Sequence, residues 1–173
     1  MKPVQILFAA ALASSACGHA LAQPAGTQIN KADAARLVAI AQANIAEVEA
    51  GNLALEKSSN ADVKAFAQMM IDDHSKGLEE TRKVAAAKNV TLPSEPDAAH
   101  KKLGAELKAL SGSGFDTAYV TKAGLADHTK VHAALRKDIS AAQDPDVKEL
   151  AAKLEPTVAH HLAMAKKLGA TPK

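Results

Sequence analysis

Three histidines, His74, His128 and His161, occupy positions where a helical repeat calls for aliphatic residues. His74 follows Val63, Phe66, Ala67 and Met70 at three- and four-residue steps, His128 lies between Leu125 and Leu135, and His161 follows Val147, Leu150 and Leu154. Imidazole nitrogen suits zinc, copper, iron and nickel, so three such rings on apolar faces point to a transition-metal site. Glu47 is the carboxylate at the matching place on a fourth segment, between Ile40 and Gly51, whereas Glu49 points to the opposite side. Further donors stand one turn away: Met70 before His74, His132 after His128 and Met164 after His161. Thioether sulfur in that shell would favour Cu(I). Asp73 and His160 neighbour stripe residues and are rotated by about 100°, toward a helix boundary or solvent. A lone histidine on an apolar stripe is ordinarily a hydrogen-bonded core residue, so the set matters only if its members share one level.

That level is set by the helices. Asn30 with Asp33 resembles an N-cap and a dipole-favourable charge, and Leu37, Ile40, Ala41, Asn44, Val48, Gly51 and Leu55 continue the stripe until Ser58-Ser59-Asn60 breaks it. A second helix runs on through Leu78, Thr81 and Ala85 and stops at Asn89 and Pro93. Residues 90–114 read as a crossover with a short helix from Ala98 to Leu110. Asp116 then caps a third helix, with Phe115 reaching toward Val120, whose stripe is Thr121, Leu125, His128, His132, Leu135 and Ile139 up to about Ala142. Asp144 with Pro145 opens the fourth, and Pro156 inside it predicts a kink before His161. Hairpin, long crossover, hairpin is the connectivity of a ferritin-like four-helix bundle, all-α and a single domain over residues 31–170.

Counted from the loop centres, Glu47 and His74 differ in height by about 3 Å, and so do His128 and His161. All four sit near mid-helix, so the expectation is one transition-metal ion, Fe, Cu, Zn or Mn, held by Glu47, His74, His128 and His161. The competing reading is a metal-free Glu-His hydrogen-bond network in a helical envelope protein that acts through protein or surface contacts. Di-iron carboxylate chemistry lacks its Glu-x-x-His pairs, since Ile71 and Val158 stand three residues before His74 and His161. No phosphate loop, nucleophile elbow or cysteine pair is present, so no nucleotide or organic cofactor is indicated.

Composition narrows the rest. The 173 residues carry 40 alanines but one Tyr, three Phe and no Trp, which removes the stacking platforms of nucleic-acid binders and the aromatic belts of membrane proteins. Net charge is +2 with scattered basic residues, so nucleic acid is not an expected partner. Lys2, an apolar run from Ile6 to Ala16 and Ala20-Leu21-Ala22 read as a signal peptide over residues 1–22, followed by a flexible stretch to residue 30. Cleavage there leaves a chain without cysteine, exported to the periplasm; lipidation at Cys17 is the alternative, although Ser14 stands where a lipobox has Leu. No other segment is apolar enough to span a bilayer.

Ala46-Glu47-Val48-Glu49-Ala50-Gly51-Asn52-Leu53-Ala54, Val63-Lys64-Ala65-Phe66-Ala67 with Met70 and Asp73-His74-Ser75, then Leu110-Ser111-Gly112, Phe115-Asp116 with Tyr119, Asp127-His128 and His161-Leu162 with Ala165 form an ordered set of motifs from about Ala35 to Leu168. This set resembles a bacterial exported family, a domain of unknown function with a ferritin-like fold, often labelled as outer-membrane proteins. The resemblance implies the fold and marks Glu47, His74, His128 and His161 as special positions, and it brings no activity. An outer-membrane barrel would need repeated alternating strands with aromatic girdles, which the chain lacks. Metal handling or redox and stress protection in the periplasm is the functional expectation.

Overall fold

The computed structural model describes residues 29–170. The expected signal peptide, Cys17 and residues 23–28 lie outside that range. The described chain is all-helical: α1 (Lys31–Lys57), α2 (Ala61–Ala87), α3 (Ala98–Lys108), α4 (Gly112–Ala118), a π-helical segment (Tyr119–Asp127), α5 (His128–Ala141) and α6 (Pro145–Ala170). None of these helices is long and apolar enough to cross a membrane.

Local chemistry sets most of the boundaries. The Asn30 side chain accepts from the Asp33 N–H at 2.9 Å to open α1, Asn60 accepts from Asp62 and Val63 to open α2, and Asp97 accepts from the His100 N–H to open α3. Asp144 takes the N–H groups of Asp146 and Val147 at the start of α6, where Pro145 has no N–H to satisfy. Pro156 is accommodated within α6, which runs through it as a single helix.

The segment leading to His128 departs from the sequence expectation. Its helix starts at Gly112 behind Ser111, not at Asp116, which lies inside α4. Over Tyr119–Asp127 the backbone then widens to a π-helix. A π turn closes its hydrogen bond over one residue more than an α turn, so the buried face rotates against the α-helical count. Thr121, expected inside, is exposed, and Ala123 and Gly124 are buried instead. Gly124 is where the neighbours come closest: a Cβ there would meet the Ala165 Cβ at 3.0 Å and a Phe66 ring carbon at 3.3 Å.

α1 packs along α2 and α5 along α6, while α2 and the π-helical segment both pack on α6. Two apolar clusters result. One gathers Phe66, Met70, Leu107, Phe115 and Tyr119; the other gathers Leu37, Ile40, Leu135, Val147 and Leu150. In sequence the three histidines fall between the two clusters on α2, α5 and α6. Alanines 41, 54, 67, 151 and 165 are fully buried, which lets these helix axes approach closely around the rings.

The far end of the second cluster is tied by charge. Asp33 is fully buried and accepts from Asn30 Nδ2 (2.7 Å), the Gln143 N–H (3.0 Å), the Asp144 N–H (2.8 Å) and Arg36 Nη1 (2.9 Å). Burial alone would raise its pKa, but these four donors outweigh it and hold the carboxyl below the usual range. Lys88 bridges Asp144 and Asp146 at 2.8 and 2.7 Å, joining the end of α2 to the start of α6. Replacing Asp33 with Ala strands donors from two segments and leaves Arg36 with Asp138 alone. The expected cost is about 3 kcal/mol in urea denaturation, against about 1 kcal/mol for Asn30→Ala, which removes a cap.

Candidate metal centre

Each of the three rings is buried and has one nitrogen tied to an oxygen that can only accept. His74 Nδ1 lies 2.9 Å from Asn44 Oδ1. The Asn44 amide is oriented by its own Nδ2, which donates to the Ile40 carbonyl at 2.8 Å. His128 Nδ1 lies 2.9 Å from the Ala123 carbonyl, five residues earlier, while the His128 backbone N–H turns to Leu125. His161 Nε2 lies 3.0 Å from Asp73 Oδ2. In every case the imidazole must donate, so in the neutral ring the proton is on that nitrogen and the other carries a lone pair.

The lone-pair nitrogens are His74 Nε2, His128 Nε2 and His161 Nδ1. The first two face each other at 3.3 Å. The third is buried without a hydrogen-bond partner among the described residues. One ring nitrogen from each histidine lies within 4.8 Å of the other two, and among the described residues this is the one group of His, Cys, Asp and Glu side chains so placed.

Burial also keeps the rings uncharged. Desolvation, followed by the neighbouring His128 and His161, lowers the His74 pKa well below its ordinary value. Desolvation lowers His128 to about 4, against the opposing bond to the Ala123 carbonyl. Desolvation lowers His161 too, although Asp73 pulls the other way. A bond from His74 to His128 would need a proton that neither ring readily takes. What the cluster offers at neutral pH is three neutral nitrogen donors, the form in which histidine binds metal.

The sequence matches the family DUF4142, a domain of unknown function, over residues 18–168. The chain belongs to DUF4142. No curated protein and no solved structure matches it.

Elsewhere in the DUF4142 chain the sequence-expected residues take other roles. Glu47 is buried, but it stands behind His128: its Oε1 is 3.6 Å from Nδ1, the nitrogen already committed to Ala123. It does not join the group of three. Burial and then the adjacent Asp127 push the Glu47 carboxyl well above its usual pKa. Asp127 in turn meets His100 Nε2 at 3.2 Å, and that contact leads in raising His100 to about 9. Met70 and Met164 pack in the cluster around Phe66 and Tyr119. His132 is paired with Glu155 at 2.7 Å, and His160 is exposed. Asp73, expected at a helix boundary or solvent, is 31% exposed and takes the His161 Nε2 proton.

The residue missing from the sequence reading is Asn44. By the same loop count it lies within about 1.5 Å of the height of His74, closer than Glu47, and it interrupts an apolar stripe. Gly77 makes its place, since a Cβ there would fall 2.6 Å from Asn44 Oδ1. The anchor of His128 is a backbone carbonyl, which no residue type announces.

A histidine whose folded pKa is depressed binds fewer protons folded than unfolded. Its effect vanishes above pH 6.5 and grows as a loss of stability between 6.5 and the folded value. For His128, at about 4, the integrated loss is on the order of 3 kcal/mol. Glu47, with its raised pKa, has the opposite slope above its unfolded value. The contribution is therefore read as a difference: urea denaturation of metal-free wild type against His128→Asn, from pH 7 to 4, should show the wild type losing the greater stability on acidification.

Proposed function

We propose that this protein is an exported, ferritin-like helical bundle that binds one divalent transition-metal ion at His74, His128 and His161, and serves in metal handling. The observation that carries this reading is the tautomer pattern, with each ring held at one nitrogen by an acceptor and left with a buried lone pair at the other. An outer acceptor of this kind, whether carboxylate or carbonyl, is what a metal-ligating imidazole ordinarily has. The spacing also fits. For metal–nitrogen bonds of about 2.0–2.1 Å, the edge of a tetrahedron is about 3.3–3.4 Å, and the two Nε2 atoms are 3.3 Å apart. Three neutral imidazoles without thiolate or coordinating carboxylate suit zinc, copper or iron better than manganese.

Export is supported by the basic, apolar and small-residue sequence of residues 2–22, and the bundle by two packed helix pairs separated by the α3 crossover. Expressed in a Gram-negative host, the full-length chain should yield a processed form whose intact mass begins at Gln23. A retained Met1 in all fractions would exclude the signal.

Metal binding is tested by stripping the purified chain with chelator and reloading it. Native mass spectrometry should find one zinc or copper ion per chain, and an excess of about 100 times Kd should raise Tm by roughly 5–10 °C. His74→Ala and His161→Ala should each abolish retention, and Glu47→Gln should preserve it. A chain that retains no ion under any loading condition leaves the histidines as a metal-free hydrogen-bonded network.

A further inference from the structure

Resting on that metal reading, the geometry points to a centre that keeps one coordination position open to a small exogenous ligand of one to three heavy atoms, water or an anion such as azide, which arrives from the α2/α6 face past Asp73. Three protein donors leave a four-coordinate ion one ligand short, the arrangement of reactive rather than purely structural sites.

The oxygen-bearing side chains set against the rings lie at or beyond the tied nitrogens. Asn44 Oδ1 takes the His74 Nδ1 proton, and its Nδ2 is held by Ile40. Asp73 Oδ2 takes the His161 Nε2 proton at 3.0 Å. Glu47 lies beyond the tied nitrogen of His128. Freeing Asn44 or Asp73 would undo the bond that orients a ligand ring.

Space and access lie on the flank of His74. A cavity of about 30 Å³ abuts His74, Asn44 and Asp73 and is otherwise walled by Thr157 and apolar side chains; its volume is close to what one water occupies in the liquid. A wider surface recess of about 320 Å³ opens between α2 and α6. The two share Asp73, Leu154 and Thr157, so these three residues form the neck between solvent and the interior. Asp73 reflects that position: its side chain is 31% exposed, while His161, which it holds, is fully buried. Around the mouth, Lys76 approaches Asp73 at 3.7 Å and Lys153 approaches Glu80 at 3.1 Å, which offsets two of the three carboxylates there, Glu79 being the third. The inner cavity is too small for an amino acid, a sugar or a nucleotide.

The test uses the full chain loaded with Co(II), whose visible bands report coordination number, titrated with sodium azide. A saturable change in those bands with a single dissociation constant is expected. Bands that stay fixed at high azide would show a closed coordination sphere and overturn the proposal. A chain that takes up no cobalt and shows no bands at all refutes the metal reading itself, and this one with it. The route is tested by stopped flow: Thr157→Leu should slow azide association and Leu154→Ala should speed it, each by roughly threefold or more, with the bands before azide unchanged. Association rates unaffected by both substitutions would overturn the route.

Discussion

Everything else in this fold accommodates one constraint: three imidazoles are held uncharged in the middle of a helical core. An imidazolium there would have to be desolvated beside two others, and burial together with mutual repulsion moves the balance to the neutral ring. Neutrality gives each ring one donor and one acceptor nitrogen. Three separate acceptors, an amide, a backbone carbonyl and a carboxylate, then take the donors, and the free nitrogens of His74 and His128 are left facing each other. These two nitrogens are 3.3 Å apart, an arrangement that is repulsive in a low-dielectric interior until a cation lies between them. The apolar clusters on either side, the alanine-lined helix contacts and the ion-paired helix ends supply the rigidity that holds the rings together against that repulsion.

The arrangement behind His128 serves the same end by a different route. His100 lies against Asp127 and Asp97, and the contact with Asp127 leads in raising its pKa to about 9. Glu47 is kept as the neutral acid by burial first and by the adjacent Asp127 second. As a neutral group it packs beside the ring and leaves the tautomer to the carbonyl. Glu47 thus conditions the centre from outside it.

How much of this was legible in the sequence follows from how local each cause is. Asn30, Asn60, Asp97 and Asp144 announce their helices because a cap is a contact over two or three residues. The histidines stood out because they broke apolar stripes. The π-helical segment was not legible, since its register answers to a neighbour distant in sequence: Gly124 against Ala165 and Phe66. With the α-helical count carried through it, Thr121 was expected inside and Ala123 was overlooked, and Ala123 supplies the anchor for His128. Asn44 reads in the sequence only as a member of the apolar stripe, although its height lies closer to His74 than that of Glu47. Ligand chemistry was weighed where orientation chemistry decided the outcome.

The balance of charge bears on what such a centre can do. A divalent ion bound by three neutral rings brings two positive charges into a region whose nearest counter-charges are Asp73, behind His161, and Glu47, behind His128. Asp73 reaches solvent and shares its charge with Lys76. Glu47 is buried and holds its proton in the absence of metal. An ion on the far side of His128 would favour the ionised carboxylate, so binding would be coupled to loss of that proton or to a hydroxide at the open position. Either outcome lowers the net charge of the buried centre by one. The same orphaned Glu47 oxygen that looks unsatisfied in the metal-free fold is thus the group best placed to compensate a cation that the three histidines alone would leave unbalanced.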